Sequence, residues 1–593
     1  MAFLRSRACW VIEYFSELDW TANNGTTLQA VLRGLINGLR DPALPVQAAA
    51  ACSLRLLIAA EGAADMLRPL LPEIIAEYFR IMEEVENESV LSALQAIILK
   101  YGEDISGMAP MMVTKLIELF NEYVAAGGDD EEATFNAVQC LDTVDSVLEA
   151  VQEKPEVLAA LEPIAQPMIM KLLLEGDDLY EYIDSAVHMI SGFTYYGDGI
   201  SPHMWSLCGP LLAVLEDWAI DYIAEIMAPL LNFMTKDIAN FLHGGYEGRP
   251  FVVMVLDITD KIFNHDESYK GKDSGCAATL LTCLITSCKE TQAIHQFLPQ
   301  IITMTLTKLK DAKTPAQRTR ILEIVMACLY YNVEATLSVL NSDPVVPPAL
   351  FGLLFDSLKG MDRDFTQRLV VLSFSALLSA PPAILPEILR NNFPAMFQQV
   401  IRELVLIETE ANRERGEDED DEDDHGDYGG FDEGDEDDDI LGVDGSDDED
   451  EDEEGADSED EKDPAKAAMR RAKALYVPDG GYDEDEDCLN AEDESYREAL
   501  EAMGKSAEGK RDKYSGGELV GDDDDESMED FTFTSPIENM NVIQHFLDTM
   551  TLLQQRDGGA LTTSLQAGLD GEDKQRLQEL IATAAQRAAA PTA

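Results

Sequence analysis

The residue types able to do chemistry stand at spacings that serve little of it. Cys276, Cys283, Cys288 and His295 form a C-x6-C-x4-C-x6-H run. Structural zinc sites favour cysteine pairs only a few residues apart, and these positions fall on predicted helices, where a buried thiol is ordinary packing. The histidines at 188, 203, 243, 265, 295, 425 and 545 read as isolated. They supply no triad, no H-E-x-x-H and no paired acid and base. No Walker or dinucleotide glycine motif occurs, and Gly429-Gly430 stands among carboxylates, the wrong charge for phosphate. The nearest approach to a calcium loop, DEDEDCLNAEDE at 483–494, carries Cys488 where an EF-hand needs glycine. No catalytic, metal or cofactor residue is assigned, and an enzyme is not expected.

What remains is charge. Residues 416–461 contain no lysine or arginine. Three clusters stand out: Glu417, Asp418, Glu419, Asp420, Asp421, Glu422, Asp423 and Asp424; then Asp432, Glu433, Asp435, Glu436, Asp437, Asp438 and Asp439; then Asp447, Asp448, Glu449, Asp450, Glu451, Asp452, Glu453 and Glu454. A mobile polyanion attracts basic protein over long range and adapts to many shapes. These clusters are the candidate contacts for a basic protein; a solubilising linker is the bland alternative. Ser446, Ser458 and Ser527, in SDDE, SEDE and SMED, suit an acid-directed kinase, which would add roughly −2 per site. Chance occurrence in an acidic tract explains the same serines.

The whole chain has 593 residues, 46% of them hydrophobic, and a formal charge of −71. Residues 411–530 carry −40 and the other 473 carry −31, so the body is acidic without the run. Such a field repels phosphate and anionic lipid and attracts basic polypeptide. Direct nucleic-acid binding, which rests on neutralising phosphates, is disfavoured. Nine scattered cysteines suit a reducing compartment. The first residues make a poor signal peptide, because Glu13 interrupts them, and no window of about 18 uninterrupted apolar residues predicts membrane insertion. Cytosol or nucleus is expected.

The elements that would position these charges are helices. In DPALPVQAAAACSLRLLIAAEG (41–62), Val46, Ala49, Ala50, Leu54, Leu57 and Ile58 recur at three-to-four spacing after Asp41-Pro42. TPAQRTRILEIVMACLYYN (314–332) puts Ile321, Ile324, Val325 and Leu329 on one face. Similar segments pair into hairpins with a period of roughly 40–45 residues, the HEAT/armadillo range. The fold class is therefore all-α, a HEAT-repeat α-solenoid or superhelix, with a long disordered acidic insertion. Three regions are expected: a solenoid over 1–410, an acidic insertion over 411–530 with short helical islands at 466–475 and 491–509, and closing helices over 531–593 that pack back on the last repeats. Ser535-Pro536 and Asp570 mark the starts of those closing helices. HGGYEGRP (243–250) and HDESYKGKDSG (265–275) read as loops. Trp10, Trp20, Trp205, Trp218, Tyr195-Tyr196 and Tyr330-Tyr331 are expected to pack between helices. RSRACWVIEYF (5–15) opens the chain with no polar cap, so upstream repeats are expected to be missing.

Arg7-Ala-Cys-Trp-Val11 with Tyr14-Phe15, PVQAAAACSLRLLI (45–58), SPHMW (201–205), CLYYN (328–332) and EDKQRLQELIATAAQR (572–587) follow one another in an order that resembles the C-terminal part of the importin-β (karyopherin-β) superfamily, in the branch of importins seven and eight. The resemblance spans essentially the whole chain. It implies a nuclear transport receptor that carries basic protein cargo such as histones or ribosomal proteins, touches the Phe-Gly repeats of nucleoporins and releases cargo to Ran-GTP. Importin β is a further partner it offers, and it implies residence in cytoplasm and nucleus, including the nuclear envelope at the pore. The N-terminal Ran-binding repeats of that family have no counterpart in these residues, and Ala590-Pro591-Thr592-Ala593 does not match the Phe/Gly-bearing tail of the branch, so Ran-GTP and tail contacts are not carried over. A basic-protein or histone chaperone and a HEAT scaffold subunit are the rival readings.

Overall fold

A computed structural model describes residues 1–420 and 533–589, apart from residues 14, 16–24, 61, 85–87, 128–130, 198 and 265–270. Helices Ala2–Glu13, Leu44–Leu57, Glu88–Ile105, Glu131–Ala150, Ile183–Tyr196, Ile223–Lys236, Gly271–Ser287, Pro315–Tyr331, Asp364–Ser379 and Val542–Asp557 stack in that order, each on the next. A second row of Ala109–Gly127, Pro155–Leu174, Pro202–Asp217, Phe251–Asn264 and Leu298–Asp311 lies against the first. Neighbours in the two rows join as helical hairpins, which makes the α-solenoid that the period of the sequence predicts.

Local chemistry sets the helix starts. Proline occupies the first or second helical position of Pro155–Leu174, Pro202–Asp217, Leu298–Asp311 and Pro315–Tyr331, where its missing N–H costs nothing. Ser201 Oγ accepts from Met204 N at 3.3 Å, and Thr314 Oγ1 accepts from Gln317 N at 3.1 Å. The first-row helices bury far more than one stripe. In Pro315–Tyr331 every residue from Arg320 to Tyr331 is buried, including Glu323, which receives Arg363 at 2.6 Å and the Thr366 hydroxyl at 2.5 Å. A helix packed on three sides needs apolar residues nearly all round.

The ends of the helices are tied to the neighbouring repeat. The last carbonyls of an α-helix have no partner inside it and carry the negative end of its dipole. Arg80 Nη2 donates to Leu39 O at 2.9 Å, Lys154 Nζ to Glu103 O at 3.0 Å and Lys308 Nζ to Phe263 O at 3.3 Å. Lys236 reaches Tyr195 O and, at 2.8 Å, Gly197 O, while Lys261 reaches Glu216 O. Lys289 runs the opposite way along the chain, to Tyr330 O at 2.7 Å. These partners stand 39 to 51 residues apart, one repeat. Arg556 makes the same contact to Ser379 O at 2.8 Å and Ala380 O at 3.1 Å across a separation of 177, because the segment 421–532 lies between.

Glu387–Asp420 meets Val542–Asp557 through Phe397 and Phe546, whose ring centroids are 5.8 Å apart. Its Gln398 donates to the buried Asp573, which also receives Arg402 at 3.7 Å and Arg576 at 3.1 Å. Asp573 lies on Gly571–Ala589, whose start is capped by Asp570 Oδ1 accepting from Asp573 N at 2.8 Å. The acidic segment thus leaves from one helix of a contacting pair and returns to the other.

Three expectations change. Residues 243–250 are more ordered than a loop: Gly245 pairs with Pro250 and Tyr246 with Arg249 in a hairpin whose turn, Glu247-Gly248, has φ of 49° and 84°, the double positive φ of a tight hairpin turn. The hairpin lays Tyr246 on Gly209, and Arg249 pairs with Glu216 and Asp257 at 2.6 Å each, clamping two second-row helices. The closing helix starts at Asn541, whose Oδ1 accepts from Gln544 N at 3.0 Å, and not at Ser535-Pro536, which forms a preceding turn. Gly271–Ser287 begins inside the expected 265–275 loop, while 265–270 lies outside the described residues. Pro155–Leu174 is long and apolar enough by composition to cross a membrane, yet Leu158, Leu161, Ala165, Ile169 and Leu172 are buried inside the array.

Close packing between repeats is most demanding at Gly176, where a Cβ would lie 2.0 Å from Trp218 Cζ2 and 2.5 Å from Cε2. Gly176→Ala is expected to destabilise the protein by about 1–3 kcal/mol, the usual cost of overpacking. The check is the midpoint of chemical denaturation; an unchanged midpoint would mean that the indole moves aside freely.

Candidate protein-interaction surface

Glu417, Asp418, Glu419 and Asp420 form the last turn of Glu387–Asp420. The other candidates, from Asp421 to Glu454, lie outside the described residues, as do Ser446, Ser458, Ser527, the 483–494 stretch and both predicted islands.

Within the array the helix period builds an acidic face that linear reading does not disclose. Glu131–Ala150 places Asp142, Asp145 and Glu149 three and four residues apart, on one side. The next first-row helix, Ile183–Tyr196, brings Asp184 and His188 alongside, and His188 Nδ1 lies 3.2 Å from Asp145 Oδ2. Burial, and then the charge of Asp145, pushes the Asp142 carboxyl up to about 6. Burial likewise raises Asp145 against the opposing hydrogen bond from His188, and burial beside Glu225 raises Asp184. The hydrogen bond to Asp145 raises the pKa of the exposed His188 ring. The cluster carries more negative charge than one imidazole neutralises. His188 was expected to be isolated; it is not, because its partner comes from the preceding repeat and no local spacing announces the pair.

Cys276, Cys283 and Cys288 are buried, and burial pushes the last two thiols up to about 12, which keeps them protonated. His295 stands on a short 3-10 turn and is exposed. Among the described residues no group of three or more His, Cys, Asp or Glu is arranged to hold a metal ion. Trp205 packs on Phe233 at 5.0 Å between centroids, Trp218 edge-on to Tyr222 at 6.5 Å, and the Arg7 guanidinium lies 4.0 Å above Trp10. Trp20 lies outside the described residues. Between Phe251–Asn264 and Leu298–Asp311 a groove of about 430 Å³ is lined by Asp260, Asn264, Pro299, Gln300, Thr303, Met304 and Thr307.

The family model described as CAS/CSE protein, C-terminus, matches residues 59–433. The chain is 28% identical over 416 residues to the Importin beta-like SAD2 homolog of Arabidopsis thaliana, covering 67% of this chain and 39% of that protein. It is 26% identical over 427 residues to the Probable importin-7 homolog of Dictyostelium discoideum, covering 70% and 39%, and 29% identical over 343 residues to Importin-8 of Mus musculus, covering 56% and 32%. The chain therefore spans well under half the length of these relatives. In fold it is similar to the solved structure of Lph2, described as a novel bidirectional nuclear transport receptor in S. cerevisiae, with a TM-score of 0.55 and 13% identity over 98% of this chain and 52% of that one. A family model spanning more than half of the residues, on an array of stacked helical hairpins, shows that the chain belongs to the CAS/CSE C-terminal family, and the relatives it matches are importin-7- and importin-8-like proteins.

Proposed function

We propose that this chain handles basic protein cargo, such as histones or ribosomal proteins, for nuclear transport, and that the clusters Glu417–Asp424, Asp432–Asp439 and Asp447–Glu454 contact the cargo. In this reading the chain divides into a solenoid over 1–410, an acidic insertion over 411–530 and closing helices over 531–593. The observation that carries the proposal is electrostatic: a segment of net charge −40 joins two contacting helices of an array whose own net charge is −31. Many of the array's cations are occupied with helix carbonyls or with carboxylates such as Asp41, Glu73, Asp104 and Glu216, which leaves the surplus charge negative. The mechanism is steering by long-range attraction, wrapping, and masking of the cargo's charge so that it does not aggregate with RNA, a chaperone role within transport.

The names of the relatives support import. The same proposal includes contact with nucleoporin Phe-Gly repeats, a cytoplasmic and nuclear distribution that includes the pore, and a role without catalysis. Importin β is a further proposed partner. Ran-GTP belongs to the same reading but is assigned no residue of this chain.

Deleting 416–461 is expected to lower affinity for a core histone or a basic ribosomal protein by about tenfold or more at low salt and to flatten the salt dependence, since exposed charges act over roughly a Debye length. Titration of both forms at several salt concentrations checks this; unchanged affinity and slope would end the cargo-contact reading. Immobilised Phe-Gly repeat peptide is expected to retain the intact chain. If it does not, while histone binding persists, the chaperone reading replaces transport.

A further inference from the structure

The junction where the chain returns from the acidic segment is built around an imidazole. Val542–Asp557 docks on the array partly through His545, half-buried and edge-on to Tyr330 with ring centroids 6.2 Å apart. On the same tyrosine, Lys289 Nζ lies 4.8 Å from the ring centroid and donates to the Tyr330 carbonyl, while the Tyr330 hydroxyl reaches Met540 Sδ at 3.7 Å. One aromatic ring is therefore shared by a lysine of the array and a histidine of the returning helix. Lys289 is itself half-buried and cannot retreat without surrendering two helix-end carbonyls, those of Tyr330 and Tyr331.

We propose that His545 makes the docking of Val542–Asp557 acid-labile: a proton on the imidazole places a second cation beside Lys289 and loosens the downstream anchor of the acidic segment. The charged groups acting on His545 are Lys289 and, one turn along its own helix, Asp548. Of the carboxylates on the elements around it, Glu290 acts on Lys289 and Tyr330, and the buried Glu403 of Glu387–Asp420 accepts from Gln399 at 2.6 Å. Arg368 pairs with Asp364 at 2.5 Å and donates to Met540 O at 3.3 Å, while Arg402 and Arg576 pair with Asp573. Burial, and then Lys289, lowers the His545 pKa below 6.5, with Asp548 opposing. A depressed histidine stabilises the fold fully above its unfolded value, and the contribution is lost as pH falls from 6.5 through the lowered native value.

The His188–Asp145 joint has the opposite sign and serves as an internal reference. His188 faces Asp145, Glu149 and Asp142 from the preceding helix and has Asp184 on its own, beside Glu225 of the next. Its raised pKa contributes stability that is present below 6.5 and lost as pH rises through the raised native value.

The test is hydrogen exchange of the full chain at about pH 7.5 and about pH 5.5, corrected for intrinsic exchange. Val542–Asp557 is expected to lose protection several-fold at the lower pH, while Ile183–Tyr196 holds or gains. His545→Gln is expected to remove the pH-dependent loss, and Asp548→Asn to enlarge it. The proposal is overturned if the wild-type helix keeps its protection at low pH, or if His545→Gln loses as much as the wild type. Should His545→Gln not fold, Asp548→Asn decides alone: an unchanged pH-dependent loss overturns the proposal.

Discussion

The structure depends on how the ends of its helices are satisfied. Each helix presents carbonyl groups that its own turns cannot bond, and at several levels of the array a lysine or arginine of the neighbouring repeat supplies the donor. Arg80 on Leu39, Lys154 on Glu103, Lys308 on Phe263 and Arg556 on Ser379 are the same contact made at successive levels. Apolar packing holds repeats together but does not by itself choose their register, because one leucine-lined face fits another at several offsets. A cation on a helix end has one position, so these contacts index each repeat on the next.

The same arrangement shapes the electrostatics. The body has half as many cations as carboxylates, 31 against 62, and several of the cations point inward to carbonyls or close an ion pair between helices. Negative charge is what remains outside. Where carboxylates crowd, as at Asp142 and Asp145, burial makes the charge of these two aspartates costly, and an imidazole from the next repeat pairs with Asp145. The acidic segment extends a property that the scaffold already has.

Much of this was legible in the residues. The three-to-four spacing in 41–62 and 314–332, the prolines at helix starts and the caps at Thr314 and Asp570 each act within a few residues, so local reading finds them. Local reading starts the closing helix too early, because Ser535-Pro536 carries a sound start signal that the chain uses for a turn before Asn541. The hairpin at 245–250 leaves no sequence signal of its own, because its strands are two residues long, too short for alternation to register.

The sequence by itself determined the helical class, the repeat length, the charge and its concentration in one segment, because each is a property of composition or of spacing within a single helix. Only the tertiary structure decided that Val542–Asp557 takes the next place in the row after Asp364–Ser379, that His188 meets Asp145 and that Lys289 and His545 meet the same ring, Tyr330. Those groups are a repeat or more apart along the chain. Contacts of that range are set by how the helices stack, and no local pattern encodes a partner that another repeat supplies.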